Sequence, residues 1–205
     1  MLDDHALSRI TDDLIARRYS VQRGLAPADL CADLRARAQE RERRGELRQA
    51  GIGRADEHRI ALGVRGDRIA WLDPDAPAEG RYLAALDDLG AHLNRALYLG
   101  IRDREAHFAS FGPGSYYRRH LDRFRRHGAR VVSTVLYLNE RWPAGGGGEL
   151  RIYDSEACET IAADVAPEAG TFVCFLSDEV WHEVLPTARP RLSVAAWLRQ
   201  ASVFG

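Results

Sequence analysis

The sequence predicts an α+β protein in which helices come first and an all-β sandwich or barrel follows. Three observations carry this. Apolar residues recur at helical spacing within the first 50 residues, they do so again over 81–99, and from Gly100 onward short apolar runs alternate with turns rich in Gly and Pro. At 205 residues the chain can bury one full core, and a single domain over 1–205 is expected. In that domain 1–100 would be mainly helical support with a mobile strand-loop unit, and 101–199 would form the β core.

The elements follow in order. "DDHALSRITDDLIARR" places Leu7, Ile10 and Leu14 on one helical face. A second helix opens at Pro27, where a fixed φ suits the first helical position, and runs through "PADLCADLRARAQERERR" to Gly45. Its charged end, 41–44, reads as a solvated terminus. "HRIALGV" and "DRIAWLD" flank Arg65, Gly66 and Asp67 and read as strands joined by a turn or mobile loop. From Gly80 a long amphipathic helix repeats Leu83, Leu86, Leu93 and Leu97. Then "REAHFASFG", "RVVSTVLYLNE", "GELRIYD", "ETIAADV", "GTFVCFL", "EVWHEVL" and "RLSVAAWLR" succeed one another as strands. The glycines at 145–148 read as a flexible bend; no Lys-Ser or Lys-Thr helix start follows to make them a phosphate loop.

Composition narrows the classes. With 45% apolar and 29% charged residues the chain is globular, and no apolar run approaches the ~20 residues of a spanning helix. The first residues are acidic and lack an apolar signal core, so cytoplasm is the expected compartment and no membrane partner is expected. The net charge of −1 argues against nucleic acid as a partner. All 29 basic residues are arginine, a compositional bias that devalues arginine as a signal unless position supports it. Cys31, Cys158 and Cys174 are widely spaced and form no metal or disulfide motif; Cys174 reads as a small core residue.

Chemistry concentrates at 116–130, "YYRRHLDRFRRHGAR", where six arginines surround a His-x-Asp. His120 and Asp122 point the same way if the segment is extended. Seven histidines and 17 aspartates would give about 0.6 such pairs by chance, so the pair needs context. His182 supplies it, standing in the apolar "EVWHEVL", although a satisfied core histidine is the alternative there. Two histidines and one carboxylate on one face of a metal leave three positions open, which suits ferrous iron binding a bidentate cosubstrate together with O₂. On "RLSVAAWLR", alternation puts Arg191, Ser193, Ala195 and Trp197 on one face, and on "VVSTVLYLN" it groups Ser133, Val135 and Tyr137. An inward Arg191 would need an anionic partner, and a dicarboxylate suits a planar guanidinium. An exposed strand end for Arg191, and a core position for Tyr137, remain the plain alternatives.

On "RGDRIAWLD", "YYRRHLD", "VLYLNERW", "GGELRIYD", "WHEVLPTARPRLSVAAWL" and the Pro-x-x-Gly-Thr before "FVCFL", the sequence resembles the Fe(II)/2-oxoglutarate dioxygenases, and within them the protein prolyl hydroxylases related to the oxygen-sensing enzymes of animals. The resemblance covers roughly residues 50–199. It implies a double-stranded β-helix (jelly-roll) supported by helices, with His120, Asp122 and His182 binding Fe(II). Arg191 and Tyr137 would bind the distal carboxylate of 2-oxoglutarate, with Val135, Leu150 and Trp197 lining its pocket, and Ser193 and Tyr117 belong to the same cosubstrate set. Residues 59–72 would form a mobile loop over a peptide substrate. Phe111 stands where relatives place a tyrosine, which removes one hydroxyl near the iron.

The implied reaction is 2-oxoglutarate- and O₂-dependent prolyl 4-hydroxylation of a protein, giving succinate and CO₂, with ascorbate as a supporting reductant. An elongation factor of the Tu type is the implied partner. A free amino acid or small metabolite is the alternative substrate, and a nucleic-acid demethylase has only the arginines of 118–130 in its favour. A cupin-like binding module is the non-enzymatic alternative, against which stands the carboxylate in place of a His-x-His.

Overall fold

The computed structural model describes residues 1–51, 65–123, 129–154, 157 and 160–201. Helix α1, Asp4–Arg17, starts where the Asp3 carboxylate accepts from the Ala6 N–H, an N-cap. It buries Leu7, Ile10 and Leu14 and stops at Arg18, whose φ of 70° is left-handed. The next residues form a short strand that sequence patterning did not reveal, β1, Tyr19–Gln22. Helix α2, Ala28–Arg43, buries Leu30, Cys31, Leu34 and Ala38. Strands β2, Arg48–Gln49, and β3, Asp67–Trp71, lead to α3, Pro77–Leu97. The strand expected over "HRIALGV" lies outside the described residues, as does the part of the expected mobile loop before Arg65.

Helix α3 begins three residues before the start suggested at Gly80. Pro77 occupies its first turn, and Gly80 sits within the helix because a Cβ there would lie 2.6 Å from the Pro74 carbonyl oxygen. The glycine marks a close approach of backbone, not a helix end. Glu79, fully buried, accepts from Arg37 Nε at 3.0 Å and from the Asp73 N–H at 2.7 Å, so one carboxylate ties α2, α3 and the turn after β3.

The remaining strands are β4 (Ile101–Phe111), β5 (Tyr117–His120), β6 (Arg130–Tyr137), β7 (Leu150–Tyr153), β8 (Ile161–Val165), β9 (Phe172–Leu176), β10 (His182–Val184) and β11 (Arg191–Gln200). They form two antiparallel sheets, a large one in the order β1-β9-β6-β11-β4-β3-β2 and a small one in the order β5-β10-β7-β8. This is the double-stranded β-helix. The first 100 residues are thus not support alone, since they add three strands to the large sheet.

Period-two alternation divides the core. Val194, Ala196 and Leu198 of β11, with Leu136 of β6 and Phe172 of β9, meet the helices. Tyr137, Val173, Phe175 and Phe111 turn the other way, toward Leu150, Ile152 and Val184 of the small sheet. Cys31 and Cys174 are buried thiols; Cys158 lies outside the described residues. Among the described residues no helix is long and apolar enough to cross a membrane.

The glycine bend at 145–148 is pinned rather than loose. Gly148 N–H donates to Pro186 O at 3.1 Å, Ala188 N–H to Gly146 O at 2.9 Å, and Trp142 Nε1 to Gly147 O at 2.8 Å. A Cβ on Gly147 would lie 2.2 Å from Pro186 O, and its φ of 65° already disfavours a side chain. Gly145 has a similar φ of 76° but open space around it. Gly145→Ala is therefore expected to cost only backbone strain, about 1–2 kcal/mol. Gly147→Ala should cost clearly more, and parallel urea melts of the two variants measure the difference.

Candidate active site

The two sheets converge on a pocket lined by His120, Asp122, His182, Arg191 and Trp197, with Val135, Leu150, Ser193 and Tyr117 also in its wall. His120 ends β5 and His182 begins β10, and the two are cross-strand partners. Asp122 lies beyond the end of β5, so it does not share a strand face with His120 as an extended segment would require. The chain bends instead, and Arg123 N–H donates to Ser177 O at 3.0 Å, fixing the bend. One ligand atom from each of the three residues lies within 4.8 Å of the others. His120 Nε2 is 3.5 Å from Asp122 Oδ1, and His182 Nε2 is 3.8 Å from Asp122 Oδ2.

Backbone carbonyls aim both rings. His120 Nδ1 is 2.7 Å from Arg118 O, and His182 Nδ1 is 3.0 Å from Val180 O. A carbonyl only accepts, so each Nδ1 donates to it and each Nε2 is the nitrogen left facing Asp122, where a metal would take its lone pair. Burial, with His120 beside it, pulls His182 down to about 4, leaving the ring neutral at pH 7. Burial works to raise the Asp122 carboxyl, but His182 and His120 together hold it well below the usual carboxylate range. Ser133 Oγ donates to Asp122 Oδ2 at 2.6 Å and is backed by Ser177 Oγ at 2.8 Å.

At the other end of the pocket Arg191 is 2% exposed and, among the described residues, has no carboxylate partner. Its Nε donates to Gly148 O at 2.8 Å and Nη1 to Ser193 Oγ at 3.3 Å. The guanidinium carbon lies 4.9 Å from the Phe111 ring centre and 5.1 Å from that of Tyr137. The Tyr137 hydroxyl is buried without a hydrogen-bond partner among the described residues. Burial pulls Arg191 down from its ordinary range, the expected response of a cation lacking an anion. Phe111 offers the cation a ring face and no hydroxyl.

The residues singled out in the sequence therefore meet around one cavity, with Tyr137 beside Arg191 rather than in the cavity wall. Sequence reasoning gave no site role to Ser177 or His107, placed Ser133 only on the face of Val135 and Tyr137, and used Arg65 and Asp67 only as part of the string that carries the resemblance. His107 carried the same signal as His182, a histidine in an apolar strand. Buried in the pocket wall, it sits against Trp71 and Trp197, with ring centroids 5.3 Å apart in each case. Of the arginines in 116–130, Arg118 and Arg119 are exposed, whereas Arg130 pairs with Glu105 and lies over Trp197 at 3.6 Å. Arg125 and Arg126 lie outside the described residues.

A double-stranded β-helix holding two histidines and an aspartate opposite a buried arginine defines a class. The family model of the 2OG-Fe(II) oxygenase superfamily matches residues 106–199. A Pseudomonas putida prolyl-4-hydroxylase is 45% identical, with a TM-score of 0.87 over 95% of this chain and 99% of that one. The chain belongs to the 2OG-Fe(II) oxygenase superfamily. It is an Fe(II)/2-oxoglutarate dioxygenase of the prolyl hydroxylase type. The fold is shared by a Trichoplax adhaerens prolyl hydroxylase solved with a hypoxia-inducible-factor peptide, 22% identical with a TM-score of 0.85 over 96% of this chain and 90% of that one. A Phytophthora capsici prolyl 4-hydroxylase is 21% identical, with a TM-score of 0.76 over 95% of this chain and 62% of that one.

The donor set fits the cofactors of the class. Two imidazole lone pairs and a carboxylate converge, and the unpaired guanidinium faces the same cavity, ready for a dianionic cosubstrate.

His107 and His182 give the metal-free protein a pH dependence. Burial is the main cause in each, and both rings fall from the ordinary 6.5 to about 4. Between those values the unfolded chain holds protons that the folded one refuses, so stability drops as pH falls from about 6.5 to about 4. Metal-free protein should show a lower urea midpoint at pH 5 than at pH 7, and His107→Asn should narrow the gap. Equal midpoints would contradict the assignment.

Proposed function

We propose that this protein hydroxylates a prolyl residue of a protein substrate at C4, using 2-oxoglutarate and O₂, with His120, Asp122 and His182 as the iron ligands. The observation that carries it is the pairing of that triad with Arg191, a buried guanidinium on the same cavity that among the described residues has no carboxylate partner. The likeness to the Pseudomonas putida prolyl-4-hydroxylase over nearly the whole chain supports proline as the target. The Trichoplax structure, alike in fold, accommodates a peptide. The finer reading, an elongation factor of the Tu type as substrate with succinate and CO₂ as products, comes from the motif resemblance, and the cytoplasm as compartment comes from the acidic first residues.

When bound, iron and 2-oxoglutarate supply the oxidising chemistry that activates O₂ for insertion into a C–H bond. The chain's own residues do the rest. Arg191, seated by Gly148 O and Ser193, would take the distal carboxylate, with the Tyr137 hydroxyl as a second donor. Val135 and Leu150 would wall the methylenes. Register aligns Trp197 with Ser133, whose hydroxyl holds Asp122, so Trp197 and His107 stand beyond the triad from Arg191. A substrate ring would enter there, against aromatic faces, with Trp197 at the boundary to the cosubstrate pocket.

Two measurements test this. Under anaerobic conditions with Fe(II), 2-oxoglutarate should raise the melting temperature. His182→Ala should abolish that shift, and Arg191→Ala should weaken cosubstrate binding by about 2–5 kcal/mol, the cost of removing one side of a buried charged pair. A protein indifferent to 2-oxoglutarate would end the assignment. For substrate, mass spectrometry of an elongation factor of the Tu type after incubation should show one added oxygen on a prolyl residue. Oxygen appearing only on free proline would assign the enzyme to small molecules instead.

A further inference from the structure

Tyr117 is stacked between two groups. Its ring lies 3.7 Å, centroid to centroid, from the His120 imidazole, with 19° between planes. The Arg65 guanidinium carbon lies over the same ring at 4.6 Å. A face already covered by an imidazole at stacking distance has no room for a guanidinium, so the two occupy opposite faces. Arg65 is itself held, since its Nε and Nη2 donate to the two carboxylate oxygens of Asp67 at 2.7 and 2.5 Å, and Asp67 is 1% exposed. The backbone fastens the same residues together. Gly66 N–H donates to Tyr116 O at 3.0 Å, and Arg65 and Tyr117 form an antiparallel bridge.

We propose that Arg65, Asp67 and Tyr117 are positioning residues for His120, acting through the aromatic ring of Tyr117 and not through its hydroxyl. The hydrogen bond from His120 Nδ1 to Arg118 O fixes one point of the imidazole and leaves the ring free to pivot about that axis. A flat ring pressed on its face removes the pivot. The ion pair behind Tyr117 keeps the stack closed, because Arg65 cannot move without separating from the buried Asp67 carboxylate. Nε2 is thereby aimed before any metal arrives, and a ligand aimed in advance loses less entropy on binding. His182 has a different aromatic neighbour in Phe175, 4.6 Å away between ring centroids and tilted by 57° rather than stacked. The sequence resemblance implies that Tyr117 belongs to the cosubstrate set; its stacking adds a second task, support of the metal ligand.

The proposal rests on His120 as a metal ligand, so the test uses the metal alone. Mn(II) is titrated into metal-free protein without 2-oxoglutarate and followed by electron paramagnetic resonance of the free ion. Loss of a group that orients a metal ligand typically costs about 10–100-fold in affinity. Tyr117→Leu should fall in that range, Asp67→Asn should weaken binding in the same direction, and Tyr117→Phe, which keeps the ring, should stay within about twofold of the wild type. A purely structural role would lower the melting temperature of the metal-free variants without separating Phe from Leu in Mn(II) affinity. Equal affinity of wild type and Tyr117→Leu would overturn the proposal, as would equal losses for Phe and Leu. If Tyr117→Leu does not fold, an Asp67→Asn affinity equal to wild type overturns it. Failure of the wild type to bind Mn(II) would overturn the ligand assignment and the proposal together.

Discussion

In the small sheet His120 and His182 face each other as antiparallel cross-strand partners, next to a one-residue shift in register before Val184. That pairing brings side by side two imidazoles that lie far apart in the chain, and the rest of the site is arranged around it. A slip of one residue would send one ring to the opposite face of the sheet, because side chains alternate with period two. The register is held from both sides. β10 also pairs with β7, through His182–Ile152 and Val184–Leu150, and both Nδ1 atoms are tied to backbone carbonyls of their own segments. Asp122 needs no strand of its own, since the bend after β5 and the Ser133–Ser177 hydroxyl pair bring it to the two rings.

The second constraint is electrostatic. A guanidinium buried without a carboxylate is costly, and a chain keeps one where a ligand will supply the charge. Around Arg191 the fold offers partial compensation only: a carbonyl, a hydroxyl and two aromatic faces. The carbonyl is available because of Gly148, where a Cβ would press on Arg191 Cδ at 3.1 Å and on Thr187 at 3.0 Å. The run of glycines, which looks like slack in the sequence, is a close-packed turn that lets backbone reach the cation.

How much of this was legible depends on what each residue reports locally. The alternation of β11 separates Arg191, Ser193, Ala195 and Trp197 from the helix-facing Val194, Ala196 and Leu198, and the sheets follow it, because a strand buried on both faces still obeys its pleat. His182 was readable as chemistry because a polar group in an apolar strand needs a reason, and the His-x-Asp pair became readable through it. Strand β1 was not readable, for "YSVQ" has no pattern of its own and is a strand only because β9 offers it an edge. Gly80 looked like a helix boundary because the atom that requires glycine, Pro74 O, belongs to another segment. Arg65 and Asp67 were visible as a motif, but what they do was hidden for a related reason. In an all-arginine chain a guanidinium carries little information until its partners are seen, and these partners are a bidentate carboxylate and the face of Tyr117.

Diffraction from crystals grown anaerobically with Mn(II) and 2-oxoglutarate tests the central claim most directly, since the anomalous signal locates the metal independently of the protein. The account places that peak among His120 Nε2, His182 Nε2 and an Asp122 oxygen, with a ligand carboxylate against the Arg191 guanidinium. A peak elsewhere, or a cosubstrate whose carboxylate avoids Arg191 while the metal sits on the triad, would contradict it.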